Sequence, residues 1–239
     1  TQDYQQAVKW YEKAAAQGLA EAQYKLGFMY QAGQGVTQDY QQQVKWYEKA
    51  AKQGHAEAQY NLGWMYREGI GVNEDYQQAV KWYEKATEQG HAEAQYDLGE
   101  MYLEGQGVTQ DYQRAVKWYT KAAEQGHSYA QLKLGEMYDL GLGVIQNPRR
   151  AVKWYEKAAE QGNDKAQYNL GVLFEKGRGV VQDYKNAYAW YSVAAASSYF
   201  LRDRSERSRD GVAKLLDRSS LLEAQALAVS YFKKYQAKQ

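Results

Sequence analysis

DYQQQVKWYEKAAKQGHAEAQYNLGWMYREGIGVNE, residues 39–74, is the unit from which this chain is built. Its opening half returns, with small changes, at Asp3, Asp75, Asp111, Asn147 and Asp183. Each start lies 36 residues after the last. Six starts in strict register define a repeat protein, in which each unit packs on its neighbours and the core grows along a line.

The unit divides into two helices. The first is expected from Asp39 to about Gln53. Asp39 is a good N-cap, with Gln42 at the third helical position. In the fifth copy Asn147 caps instead, and Pro148 takes the first helical position, where a missing N–H costs nothing. Gly54 ends this helix as a left-handed residue, as do Gly18, Gly90, Gly126 and Gly162. Val44, Trp46, Tyr47, Ala50 and Ala51 fall on one side at helical spacing. Trp10, Trp46, Trp82, Trp118, Trp154 and Trp190 form one column, expected to be core.

The second helix is expected from about Ala56 to Glu68, with Ala58, Leu62, Met65 and Tyr66 as its buried stripe. Gly63 sits mid-helix at a cost of about 1 kcal/mol against Ala. It recurs at Gly27, Gly99, Gly135 and Gly171, which points to a close helix crossing there. After Ser197-Ser198 the pattern is lost. Tyr199–Leu216 and Ser220–Tyr235 are expected to be two further helices. Their alternating charges suit a polar cap on the last repeat.

The motifs A-x-x-W-Y-x-K-A-A-x-x-G (Ala79–Gly90) and A-x-x-x-L-G-x-x-Y-x-x-G-x-G-V (Ala94–Val108) closely resemble those of the Sel1-like repeat family, relatives of tetratricopeptide repeats. The match covers about Asp3–Ser198, roughly five and a half units. The resemblance implies an all-α fold, a right-handed α/α superhelical solenoid with a concave groove. It assigns 1–198 to the repeat array and 199–239 to C-terminal capping helices. It further implies adaptor or scaffold work between proteins, bacterial and often exported, which favours a periplasmic or secreted location. Some family members carry paired cysteines in each repeat. This chain has none.

Composition narrows the function classes. With 30 basic and 29 acidic residues, the chain lacks the clustered positive charge that nucleic acid demands. Mean hydropathy is −0.84, and no apolar run is long enough to insert into a membrane. No cofactor motif emerges. The G-x-G pairs, such as Gly69/Gly71 and Gly177/Gly179, lack a third glycine and follow a helix rather than a strand, so they are turns. His55, His91 and His127 occupy one column, on the order of 10 Å apart from copy to copy. Zinc ligands all lie about 2 Å from one point, so these histidines read as turn residues.

Variation between copies carries the functional signal. Four positions of the second helix change freely at spacings of four, three and four, which puts them on one face. They are Glu21, Lys25, Phe28 and Ala32, then Glu57, Asn61, Trp64 and Glu68. The third copy has Glu93, Asp97, Glu100 and Glu104, and the fourth Tyr129, Lys133, Glu136 and Leu140. The fifth has Lys165, Asn169, Val172 and Lys176, with Arg178 nearby. By the family resemblance this face lines the groove, which would run from aromatic through acidic to basic. Phe28 and Trp64 stand where the fold needs no large ring, and exposed aromatics are typical interface anchors.

The leading expectation is a non-enzymatic scaffold holding a protein or peptide. Its ligand would carry Lys or Arg opposite Asp97 and Glu100, and an apolar anchor near Trp64. One rival is a cell-wall or metal-dependent hydrolase using Glu93, Asp97, Glu100 and Glu104, although a straight helix face spreads four carboxylates too far for one ion. Another is a structural, self-assembling role, with end-to-end association at the N-terminal edge around Trp10 and Tyr11. The opening Thr1-Gln2-Asp3 matches Thr37-Gln38-Asp39, so further residues, a secretion signal among them, are expected upstream.

Overall fold

A computed structural model describes residues 2–197 and 199–235. Thr1, Ser198 and the last four residues of the proposed capping segment lie outside it. Among the described residues there are thirteen α-helices and no strand. The fold is an all-α repeat solenoid. No described helix is long and apolar enough to cross a membrane.

The first helix of each repeat (A helix) is α1 (Gln2–Ala16), α3 (Tyr40–Lys52), α5 (Tyr76–Glu88), α7 (Tyr112–Glu124), α9 (Pro148–Ala159) or α11 (Tyr184–Ser197). The second (B helix) is α2 (Ala20–Ala32), α4 (Ala56–Glu68), α6 (Ala92–Glu104), α8 (Ser128–Leu140) or α10 (Asp164–Lys176). α12 (Arg202–Ala213) and α13 (Arg218–Tyr235) follow the last repeat. The chain forms two compact units, Thr1–Trp118 and Tyr119–Gln239.

In the first unit, the A helices start where a short side chain can take the orphan amide. Asp39 accepts from the Gln42 N–H at 3.0 Å and Asp75 from the Gln78 N–H at 3.0 Å, the N-cap geometry. Tyr47 and Tyr83 are fully buried, with Val44, Ala50, Ala51, Leu62 and Met65 around Tyr47. The mid-helix glycine makes this possible. A Cβ on Gly63 would stand 2.7 Å from the Tyr83 ring, and one on Gly27 2.6 Å from the Tyr47 ring. α2 and α4 are therefore indented to admit the tyrosines of α3 and α5.

The expectation of a tryptophan core needs correction. Trp82 is 6% exposed, but Trp10 is 68% exposed and Trp46 only half-buried. One residue of helix turns the side chain by roughly 100°, so Tyr47 and Tyr83 point at the glycines of α2 and α4 while the indoles of Trp46 and Trp82 are turned to another side of the A helix. A lysine one turn on covers each indole, with Lys49 Nζ 3.9 Å and Lys85 Nζ 4.6 Å from the ring centroids of Trp46 and Trp82.

The second unit repeats the scheme. Tyr155 and Tyr191 are buried against Gly135 and Gly171, where a Cβ would meet either ring at 2.6 Å. Trp154 is half-buried, as is Trp118 at the end of the first unit, whereas Trp190 is 3% exposed. Trp190 is covered by α13, whose Tyr231 and Tyr235 rings lie 4.7 and 5.1 Å away. The Tyr231 hydroxyl also donates to Asn186 Oδ1 at 2.6 Å. On its other side α11 carries α12, and Arg204 of α12 donates to the Tyr168 hydroxyl at 3.0 Å.

Candidate functional site

The B helices carry the variable face, and their starts fix how it is presented. His55 and His91 are the N-caps of α4 and α6. Each Nδ1 accepts a backbone N–H, from Ala58 and Ala94, at 3.2 Å. With Nδ1 accepting, Nε2 carries the proton of a neutral ring and faces a carboxylate of the preceding repeat. His55 Nε2 lies 2.9 Å from Glu21, and His91 Nε2 3.1 Å from Glu57. Each ring also stacks on a tyrosine, His55 on Tyr24 at 4.7 Å and His91 on Tyr60 at 4.6 Å. Thus Glu21 and Glu57, two of the variable positions, are committed to holding the next repeat.

A second link was missed in the sequence. Gln23 and Gln59 are buried in an otherwise apolar stripe. Their Nε2 groups donate to the carbonyls of Ala15 and Ala51 at the end of the A helix, at 3.2 and 3.0 Å. Their Oε1 atoms accept from Gln53 and Gln89 of the next repeat, at 2.7 and 2.8 Å. In the second unit Gln161 donates to Gln131 in the same way at 2.8 Å. The signal was the recurrence of Gln beside Ala in every copy.

In the first unit the aromatic positions are open. Phe28 is 45% and Trp64 36% exposed. Glu93 and Glu104 are exposed and Glu100 half-buried. Asp97 is not on that open face. It is 8% exposed, and its Oδ1 lies 3.3 Å from Arg67 Nη1. Burial pushes its carboxyl well above the usual range, to about 6, against the opposing pull of Arg67. The acidic stripe presented outward is therefore Glu93, Glu100 and Glu104. Asp97 is turned into the neighbouring repeat, because its position lies over the groove between consecutive B helices.

In the second unit Tyr129 is 58% and Leu140 61% exposed, Lys165 and Lys176 are exposed, and Lys133 and Glu136 are half-buried. Arg178, taken from the sequence as part of a basic end, donates to Asp139 at 2.7 Å. Burial raises the Asp139 carboxyl, and Arg178 opposes that shift. Among the described residues no group of three or more His, Cys, Asp or Glu side chains could hold a metal ion.

A family model described as Sel1 repeat matches residues 1–19, 20–55, 56–91, 92–127, 128–163 and 164–199. The crystal structure of a Sel1 repeat protein from Oxalobacter formigenes is 35% identical, covering 95% of this chain and 92% of its own, with a TM-score of 0.78. The protective antigen c5321 of uropathogenic Escherichia coli, which displays an SLR fold, is 30% identical over 100% of this chain and 66% of its own, with a TM-score of 0.45. A Sel1 repeat protein from Klebsiella pneumoniae is 23% identical over 86% of this chain and 99% of its own, with a TM-score of 0.50. No curated protein matches the chain.

Proposed function

The chain belongs to the Sel1 repeat family, whose repeats mediate protein interactions, and on that premise we propose that it is a non-enzymatic scaffold holding a protein or peptide segment against its B helices. One observation carries this reading. Of seven tryptophans, six follow the A-helix column. Trp64 alone lies on a B helix, and it is 36% exposed. Leaving a large ring in water forgoes about 2 kcal/mol of burial, and a partner's apolar side chain recovers it.

On the first unit, Phe28 and Trp64 serve as apolar anchors, and Glu93, Glu100 and Glu104 meet Lys or Arg of the ligand. Asp97 is occupied by Arg67 and drops out of that contact set. On the second unit, Tyr129, Lys133, Glu136, Lys165 and Lys176 are the contact positions. Such solvent-facing pairs contribute modestly each and act chiefly on specificity and approach rate.

The test is a titration of a partner recovered with the wild-type chain against Trp64→Ala and Glu100→Lys. Each substitution is expected to weaken binding tenfold or more. Unchanged affinity in both overturns the assignment of this surface.

A further inference from the structure

Within the second unit, the packing rule of the array stops at α12. Contacts set its register: Tyr24 meets Asn61 at 3.4 Å, and Tyr168 meets Ser208 at 3.4 Å. Ser208 thus stands where Asn61 stands. The residues after Asn61 are Leu62, which is fully buried, and Gly63, which receives the tyrosine of the next A helix. The residues after Ser208 are Arg209 and Asp210, and Asp210 is exposed. Gly211, the glycine of α12, would meet nothing within 4 Å on gaining a Cβ. Among the described residues no helix lies against this face as α5 lies against α4. α13 leans on α11 instead, through Tyr231 and Tyr235.

The consequence is an open groove of about 580 Å³ between α12 and α13, with α11 as its floor. Ser192 and Ala195 keep that floor low. Arg202, Glu206 and Arg209 form one wall, at helical spacing, and Val229 and Phe232 line the other. Val229 is 53% exposed. The volume is in the range of sites that take compact ligands or a few side chains. Its charged lining consists of two guanidinium groups against one carboxylate. Arg202 is exposed and has no ion-pair partner among the described residues. Arg209 donates to the adjacent, exposed Asp210 through Nη2 at 2.8 Å and Nε at 2.9 Å, a solvent-facing pair that a ligand carboxylate can replace.

We propose that this groove docks a peptide segment of a partner protein that presents a carboxylate to Arg202 and Arg209 and a bulky apolar side chain to Val229 and Phe232. Charge decides the occupant. Arg202, with no ion-pair partner among the described residues, beside an apolar wall selects an acidic residue next to a large apolar one, because arginine binds carboxylate in a fork and an unpaired cation disfavours a basic ligand. The site is separate from the surface proposed above and does not depend on it.

The probe is a display library of random twelve-residue peptides selected on the full chain. Enriched peptides are expected to carry Asp or Glu within four residues of Leu, Phe or Trp. Measured by fluorescence anisotropy, they should lose affinity tenfold or more in Arg202→Glu/Arg209→Glu and in Val229→Asp, and keep it in Trp64→Ala. Circular dichroism confirms that the variants are folded. The proposal is overturned by no enrichment, by a consensus without an acid, or by peptides that bind the groove variants as well as wild type. Concentration-dependent dimerisation that Val229→Asp abolishes also overturns it, since the occupant would then be a second copy.

Discussion

Arg67 Nη1 and Asp97 Oδ1 lie 3.3 Å apart, and the pair ties α4 to α6 thirty residues along the chain. The pairing does not recover what burial takes from the carboxylate, whose affinity for protons rises to about 6. A folded value above the unfolded one means that this group stabilises the fold most when protonated. That contribution is complete below about pH 4 and is lost as pH rises through 6. Over that span it is on the order of 2–3 kcal/mol. Asp97→Asn has no such titration. The stability of wild type minus that of Asp97→Asn should therefore fall by this amount between pH 4 and pH 7.5, as read by urea unfolding at both. A difference that grows with pH would contradict the burial.

Gly63 and Gly211 make a matched pair. Both sit inside helices, but only one is crowded. Gly63→Ala places a methyl group 2.7 Å from the Tyr83 ring and 3.3 Å from the Ala79 carbonyl. Overpacking of this kind costs about 1–3 kcal/mol, which outweighs the helix propensity gained. Gly211→Ala meets nothing and should stabilise by about 0.5–1 kcal/mol. Thermal unfolding of the two variants should show shifts of opposite sign.

The amide ladder ends with a loose acceptor. Gln167 is fully buried, its Nε2 donates to Ala159, and its Oε1 has no partner among the described residues. One repeat length on from Gln161 stands Ser197, whose hydroxyl is committed to the Val193 carbonyl. Ser197→Gln supplies the missing donor and should stabilise by about 1 kcal/mol. A double-mutant cycle with Gln167→Leu checks it, because the gain should vanish in that background.

His91 works at both ends of its ring. His91→Ala removes the N-cap of α6 and the contact with Glu57, at an expected loss of about 1–2 kcal/mol. His91→Asn should lose less than half of that. Asn163 already caps α10 in the same position, accepting from the Ala166 N–H at 3.0 Å. Equal losses in the two variants would mean that the cap contributes little.

The helices, the Asp and Asn caps of the A helices and the close crossing at the mid-helix glycine were legible because each rests on local sequence repeated five or six times, whereas the histidine N-caps of the B helices were read as turn residues. Trp46 and Tyr47 were both placed in the apolar stripe, because adjacent aromatics in Trp-Tyr both fit such a stripe and only the Gly–Tyr contact separates them. Of the tryptophan column Trp82 and Trp190 are buried, while Trp10 is exposed and the others half-buried. Asp97 was read as outward because variation between copies marks a position as free of the common fold, not as free of partners. Its partner was visible in principle. Arg67 and Asp97 are opposite charges thirty residues apart, the same offset that joins Gln23 to Gln53. The exposure of Trp64 and Phe28 followed directly from helical phase. The groove beside α12 lay beyond reach, since it arises where the periodicity ends.

The bond between Gln53 and Gln23 has a consequence for how such a chain changes length. The rungs Gln53–Gln23, Gln89–Gln59 and Gln161–Gln131 join the same atoms of the same residue type, so a cut and a rejoin one period apart leave this ladder without mismatched ends. Excising residues 53–88 brings Gln89 directly after Lys52, and Gln89 inherits the bond to Gln23. The same excision removes Arg67 and leaves the buried Asp97 carboxyl without that partner, so the ladder tolerates a change of one period while the copy-specific ion pair does not.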